Sequence, residues 1–139
     1  MVPFLMLALA CSPTPTPPKG MLLVTVDTWR ADHLNARTSP QIHGLIEKGL
    51  KFERAFSPIG LTSAAHASLF TGLLPPRHGV RGNNHHGYTL APSFLTVAES
   101  LQSQGWDTAA FTTAWPAGPE GGLGQGFDVF LSPPEGERP

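Results

Sequence analysis

The sequence predicts an α/β fold with a mostly parallel sheet and helices on both faces, and three observations carry that expectation. The run MLLVTV at residues 21–26 is continuous and rich in aliphatic and β-branched side chains, as in a strand buried on both faces of a parallel sheet. Strand-like and helix-like segments then alternate along the chain, the pattern of strands joined by helical crossovers. The first strand ends on an acid, Asp27, at the place where open α/β sheets gather their ligands, beyond the carboxyl ends of the strands.

Ahead of that strand, residues 1–11 read as an export signal. An apolar run, MVPFLMLALA, leads directly into Cys11, the chain's single cysteine. Ten residues cannot cross a bilayer, which takes about 20. The layout resembles a bacterial lipoprotein signal with Cys11 as the lipidated residue. It implies export to the periplasm or outer cell surface and a membrane contact through the lipid. A frayed apolar terminus with an incidental cysteine is the alternative. Residues 12–20 form a Pro/Thr linker, and a lone cysteine excludes an intrachain disulfide.

Thr38, Ser39 and Pro40 supply a cap and a first-turn proline for a helix through about Lys48, with Ile42, Leu45 and Ile46 on one face and Gly49 as its stop. Residues 51–56 alternate, with Phe52 and Phe56 flanking Glu53 and Arg54, and predict a second strand. A short helix of small residues is expected over 64–70, ending at Gly72. An amphipathic helix follows over 93–104, carrying Phe94, Val97, Ala98 and Leu101. Residues 106–113 complete the alternation as a third strand. Residues 116–126 read as a Gly-rich loop, and 132–139 as a Pro/Glu tail at the end of an unfinished domain.

Composition narrows the function without naming it. Of 139 residues, 40% are hydrophobic and 14% charged, which suffices for about one domain. Nine Lys and Arg against ten Asp and Glu, with no basic block, exclude a nucleic-acid-binding surface. Trp29, Trp106 and Trp115 have no interleaved cations, so core or pocket-wall packing is their expected role.

The chemistry-bearing candidates lie on the first strand and the small-residue helix. Asp27 suits a divalent metal as a hard oxygen ligand, or else caps the next turn. Thr62 and Ser63 open a helix whose start offers N–H donors to an anion. Thr62 is thus a nucleophile facing a tetrahedral sulfate or phosphate, or else Thr62 or Ser63 is only an N-cap. His66, four residues on, lies on the same face and is either an anion or nucleophile contact or a structural histidine. His78, His85 and His86 cluster with Asn83 and Asn84, but the Asn-Asn-His-His-Gly stretch reads as a polar turn rather than a metal site.

Three stretches, LLVTVDTWRADHL, FERAFSPIGLTSAAHASLFTGLLPPRHGV and GWDTAAF, occur in the order and approximate spacing of sulfatase N-terminal domains. Residues 21–131 therefore resemble that family of the alkaline phosphatase superfamily, most specifically at VDTxRAD, at T-x-x-x-H-A-S-L-x-T-G over 62–72, and at P-x-R-H-G-V from Pro75 to Val80. The resemblance implies the N-terminal portion of an alkaline-phosphatase-like fold and a metal-dependent hydrolase of sulfate or phosphate esters. It maps Asp27 to a metal ligand and Thr62 to the nucleophile, which also contacts the metal. The ion implied is Ca, Mg, Mn or Zn, and the substrate a small-molecule or glycan ester. His78 resembles a recurrent position near the pocket.

Departures from the sulfatase pattern are equally informative. The window that carries Cys or Ser with Pro and Arg in sulfatases is Thr62-Ser-Ala-Ala-His66 here, and a threonine, with a methyl on its β-carbon, cannot yield the formylglycine aldehyde. Thr28 replaces the second acid of the sulfatase Asp-Asp pair, and the family's anion-binding Lys and His have no counterpart. Threonine at this place resembles instead the phosphate-ester, phosphonate and phosphoethanolamine-transfer branches of the superfamily. The expectation is a parent ester hydrolase of which this stretch alone is inactive. The alternative is a non-catalytic, lipid-tethered binding domain or pseudoenzyme on the same fold.

Overall fold

The computed structural model describes residues 20–84 and 87–133. The signal, Cys11, most of the linker, His85, His86 and residues 134–139 lie outside them. The described part is an α/β arrangement of four short helices, α1 (Pro40–Ile46), α2 (Thr62–Thr71), α3 (Pro75–His78) and α4 (Val97–Gln102), and two strands, β1 (Ala109–Phe111) and β2 (Val129–Leu131). The strands pair in parallel, with Ala109 opposite Val129 and Phe111 opposite Leu131. The expected parallel pairing is present, on a smaller sheet than the sequence predicts. No helix among the described residues is long and apolar enough to cross a membrane.

Helix α2 is the centre of the packing. Ser63, Ala64, Ala67 and Ser68 are buried along it, and such small side chains let neighbouring backbone approach closely. Ala64 and Ala67 join Val80, Leu90 and Leu123 in the core, with Ile59, Phe70 and Phe94 packed around them. Gly72 ends the helix in the left-handed conformation, φ 68°, where its N–H reaches the Ser68 carbonyl. An edge-to-face series runs from His66 to Phe70, Phe127 and Phe130, tying α2 to β2.

Helix α4 begins later than the expected residue 93 because Thr96 provides a complete capping box. Its hydroxyl accepts the Glu99 N–H at 3.1 Å, and Glu99 returns a carboxylate to the Thr96 N–H at 2.8 Å. The sheet is held at its base by Asp128, whose carboxylate accepts the Thr108 N–H at 2.8 Å, the Thr108 hydroxyl at 2.9 Å and the Gln102 amide at 2.7 Å. The Thr108 backbone N–H and then the Gln102 and Thr108 side chains lower the Asp128 pKa, since all of them favour the charged form.

Several expectations are corrected. Residues 21–26 form no strand: they are exposed, and residues 21–25 line with β1 a cleft of about 590 Å³ instead of joining its ladder. Apolar β-branched residues favour a strand, but a strand exists only when a neighbour completes its hydrogen bonds. Residues 51–56 are likewise outside any strand; a turn interrupts them, and Phe52 and Phe56 are 78% and 85% exposed. The third strand is shortened to β1. The expected helix to Lys48 stops at Ile46. The Gly-rich stretch is not featureless, because 3-10 turns occupy Trp115–Ala117 and Pro119–Gly121.

Candidate active site

Asp27 and Thr62, 35 residues apart in the chain, meet in the structure. The Thr62 hydroxyl donates to Asp27 Oδ2 at 3.1 Å. Thr62 is the first residue of α2, and the N-cap position is taken by Leu61, so the Thr62 hydroxyl is not spent capping its own helix. Asp27 holds its turn with the other oxygen, Oδ1, which accepts the Thr28 N–H at 3.0 Å. The turn-capping reading of Asp27 is thus met by Oδ1, while Oδ2 is turned to the Thr62 hydroxyl.

The turn is strained. Thr28 sits at φ 52°, a left-handed conformation that β-branched residues rarely adopt. It aims the Asp27 carboxylate toward α2 at the mouth of a cleft of about 650 Å³. Trp29, Phe56, Leu61, Leu69 and Leu73 contribute an apolar wall to this cleft, and Asp27, Thr62 and His66 its polar groups. Trp29 thus lines a pocket, as one of its expected roles had it.

His66 does not address the Thr62 hydroxyl in this structure. Its Nδ1 donates to the Thr62 carbonyl at 2.8 Å, since a carbonyl can only accept, and in the neutral imidazole its Nε2 accepts from the Thr25 hydroxyl at 3.2 Å. His66 thereby links the segment leading to Asp27 with the residue carrying the candidate nucleophile.

Two site neighbours, Ser63 at the helix start and Asn83 in the expected polar turn, meet in the structure. The Asn83 side-chain oxygen accepts the Ser63 N–H at 3.1 Å, capping α2 from a distant loop. The first-turn donors expected for an anion are thus partly committed, the Ser63 N–H being taken by the Asn83 amide oxygen. Ser63 itself is buried, with its hydroxyl donating to the Pro116 carbonyl at 2.6 Å. The signal for Ser63 was its place at the helix start, and that for Asn83 the amide pair Asn83-Asn84 in a turn-forming stretch, because amide side chains cap backbone groups.

His78 is a buried structural residue, 2% exposed. The Val80 N–H donates to its Nδ1 at 3.1 Å, so the ring proton sits on Nε2 and is donated to the Ser68 hydroxyl at 2.9 Å. Burial lowers its pKa, because it disfavours the charged imidazolium.

Asp27 and Thr62 fit a divalent ion as part of its donor set: a carboxylate oxygen and a hydroxyl, both hard, already converge on one point. Among the described residues no group of three or more His, Cys, Asp or Glu side chains could hold a metal by itself.

Comparison with known proteins identifies several relatives of this chain. The chain is 31% identical to human arylsulfatase A over 148 residues, covering 94% of this chain and 28% of that protein. It is 31% identical to ectonucleotide pyrophosphatase/phosphodiesterase family member 3 of Rattus norvegicus over 114 residues, covering 76% of this chain and 13% of that protein. Over 69 residues it is 38% identical to bis(5'-adenosyl)-triphosphatase ENPP4 of Pongo abelii, covering 49% of this chain and 15% of that one. The chain thus spans between 13% and 28% of the length of these relatives. No solved structure matches it significantly. Residues 21–116 match the family described as type I phosphodiesterase / nucleotide pyrophosphatase, a match that contains Asp27, Thr62, His66 and Asn83. The alkaline phosphatase superfamily inferred from the motifs is upheld, and within it the chain belongs to the type I phosphodiesterase / nucleotide pyrophosphatase family.

Proposed function

We propose that the chain carries the nucleophile of an ester hydrolase that cleaves phosphate esters, with Thr62 as the attacking group. The observation that carries this reading is the hydroxyl of Thr62, outside the cap position and hydrogen-bonded to the Asp27 carboxylate in an open cleft. Oγ1 of Thr62 bonds to phosphorus as the phosphorus–oxygen bond to the alcohol breaks, and the hydroxyl proton ends on the departing alcohol. Water then attacks the phosphothreonine, restores the hydroxyl and releases phosphate. Asp27 orients the hydroxyl, and the Asn83 NH2 donates to a non-bridging oxygen as charge builds there. A divalent ion bound by Asp27 and Thr62 would lower the hydroxyl's pKa and offset that charge, with further ligands from outside the described residues. His66 keeps the Thr62 backbone in place.

Sulfate esters are the second reading, favoured by the similarity to arylsulfatase A. One experiment separates the two and tests both: hydrolysis of aryl phosphate and aryl sulfate esters by the intact protein, with and without a divalent ion, beside Thr62→Ala. Metal-dependent turnover that falls at least about 1,000-fold in Thr62→Ala is expected, with the phosphate ester preferred. Turnover unchanged by the substitution would remove Thr62 as nucleophile, and its complete absence from the unmodified protein would favour a binding domain on the same fold.

A further inference from the structure

We infer that Ser63 is a positioning residue for the site, its buried hydroxyl setting where the Asn83 amide stands relative to Thr62. Its catalytic consequence rests on the hydrolase reading above, while the placement itself does not.

Ser63 is 1% exposed, and its polar atoms join α2 to two other segments. Its Oγ donates to the Pro116 carbonyl at 2.6 Å and accepts the Asn84 N–H at 3.1 Å, so the hydroxyl is used both as donor and as acceptor. The Ser63 backbone N–H donates to Asn83 Oδ1 at 3.1 Å. Asn84 is anchored again on its far side, where its Nδ2 donates to the Trp115 carbonyl at 3.3 Å and its Cβ would lie 3.3 Å from a Cβ placed on Gly121. Residue 84 is therefore held between α2 and the turn Trp115–Ala117, and residue 83, one peptide before it, inherits that position.

The orientation of the Asn83 amide follows from elementary chemistry. A backbone N–H requires an acceptor, so the amide oxygen faces Ser63 and the NH2 group faces away from it. Replacing Ser63 by alanine keeps the helix, the N–H and the space, and removes only the hydroxyl. The Asn84 N–H and the Pro116 carbonyl then lose a buried partner, and the loop must move to recover one. A shift on the order of 1 Å in a charge-stabilising donor is enough to lower a rate by about 100-fold. Neither Pro116 nor Asn84 belongs to the attack itself, so substrate affinity has no direct reason to change.

The test is a double-mutant cycle on the intact protein with an aryl phosphate. Ser63→Ala is expected to lower kcat between about 10- and 100-fold with KM within about threefold, and Ser63→Cys, which keeps a weaker donor and acceptor, to fall between it and the unmodified protein. Because Ser63 acts through Asn83, the double variant Ser63→Ala/Asn83→Ala should be no slower than Asn83→Ala alone. Additive losses, or a kcat within about twofold of the unmodified protein, would overturn the inference. A crystal structure of Ser63→Ala decides the placement whatever the turnover. An Asn83 amide displaced from the Ser63 N–H supports it, and an amide left in place refutes it. Loss of activity in neither Thr62→Ala nor Ser63→Ala would strike the hydrolase reading, and the crystal structure would still judge Ser63.

Discussion

Thr28 holds the Asp27 turn at a local cost. A non-glycine residue in the left-handed region costs about 1–2 kcal/mol, and a β-branched one has the least relief available. Thr28→Gly should therefore raise stability by about 0.5–1 kcal/mol, the strain relieved less the added flexibility of the unfolded chain, as read from the urea midpoint. A lower midpoint would show that the threonine side chain contributes more than its backbone costs. His78 makes a second prediction. Its pKa is lowered in the folded protein, so the unfolded chain binds the extra proton first, and stability is full above the ordinary value of about 6.5 and lost as pH falls through the folded value. Urea midpoints at pH 8 and pH 5 should differ for the unmodified protein and differ less for His78→Gln, whose amide can still donate to Ser68 and accept from Val80. An equal slope in both proteins would move the effect to another group. At this scale the candidate pair Asp27 and Thr62 was legible, because each residue type suits its chemistry. The partnership of Ser63 and Asn83 was not, because a serine at a helix start and an asparagine in a turn are ordinary until their partners are known.

At the scale of elements, α4 is fixed by its first residue. Thr96 is almost wholly buried and serves the Glu99 N–H as acceptor and the Gln125 carbonyl as donor. Thr96→Ala should cost between about 1 and 2 kcal/mol in the urea transition, and Thr96→Ser distinctly less. Equal losses would mean that the methyl group, and not the cap, is what matters. The same element shows how closely neighbouring backbone approaches it: a Cβ on Gly126, which sits at φ 81°, would collide with the Glu99 backbone nitrogen. Helices were legible where small residues, caps and terminal glycines agree, as in α2 and its Gly72 stop. Their limits shifted where a capping box outweighed the apolar periodicity, as at Thr96. The strands were less legible because alternation is a local pattern and a ladder is not: Phe52 and Phe56 alternate correctly and pair with nothing among the described residues.

For the whole molecule, the consequence of the short sheet is exposed apolar surface. Leu22 is 86% exposed, Val24 69%, Phe111 74% and Leu131 58%, where monomeric proteins bury such clusters. The chain should bind a hydrophobic dye such as ANS, and sedimentation should show association that grows with concentration and weakens in Leu22→Lys. Monomeric behaviour without dye binding would show that these residues are covered in solution. By itself the sequence determined the α/β class, the helix α2 with its glycine stop, the membership of the superfamily and the candidate chemistry of Asp27 and Thr62, because each depends on residue types at short spacing. Only the tertiary structure decided that Asp27 reaches Thr62, that His66 turns to a carbonyl rather than the hydroxyl, that Asn83 caps the helix through Ser63, and that residues 21–26 stand outside the sheet. Those outcomes depend on which distant segments meet, and the hydrogen bonds that settle them form between groups whose separation along the chain carries no signal of their contact in space.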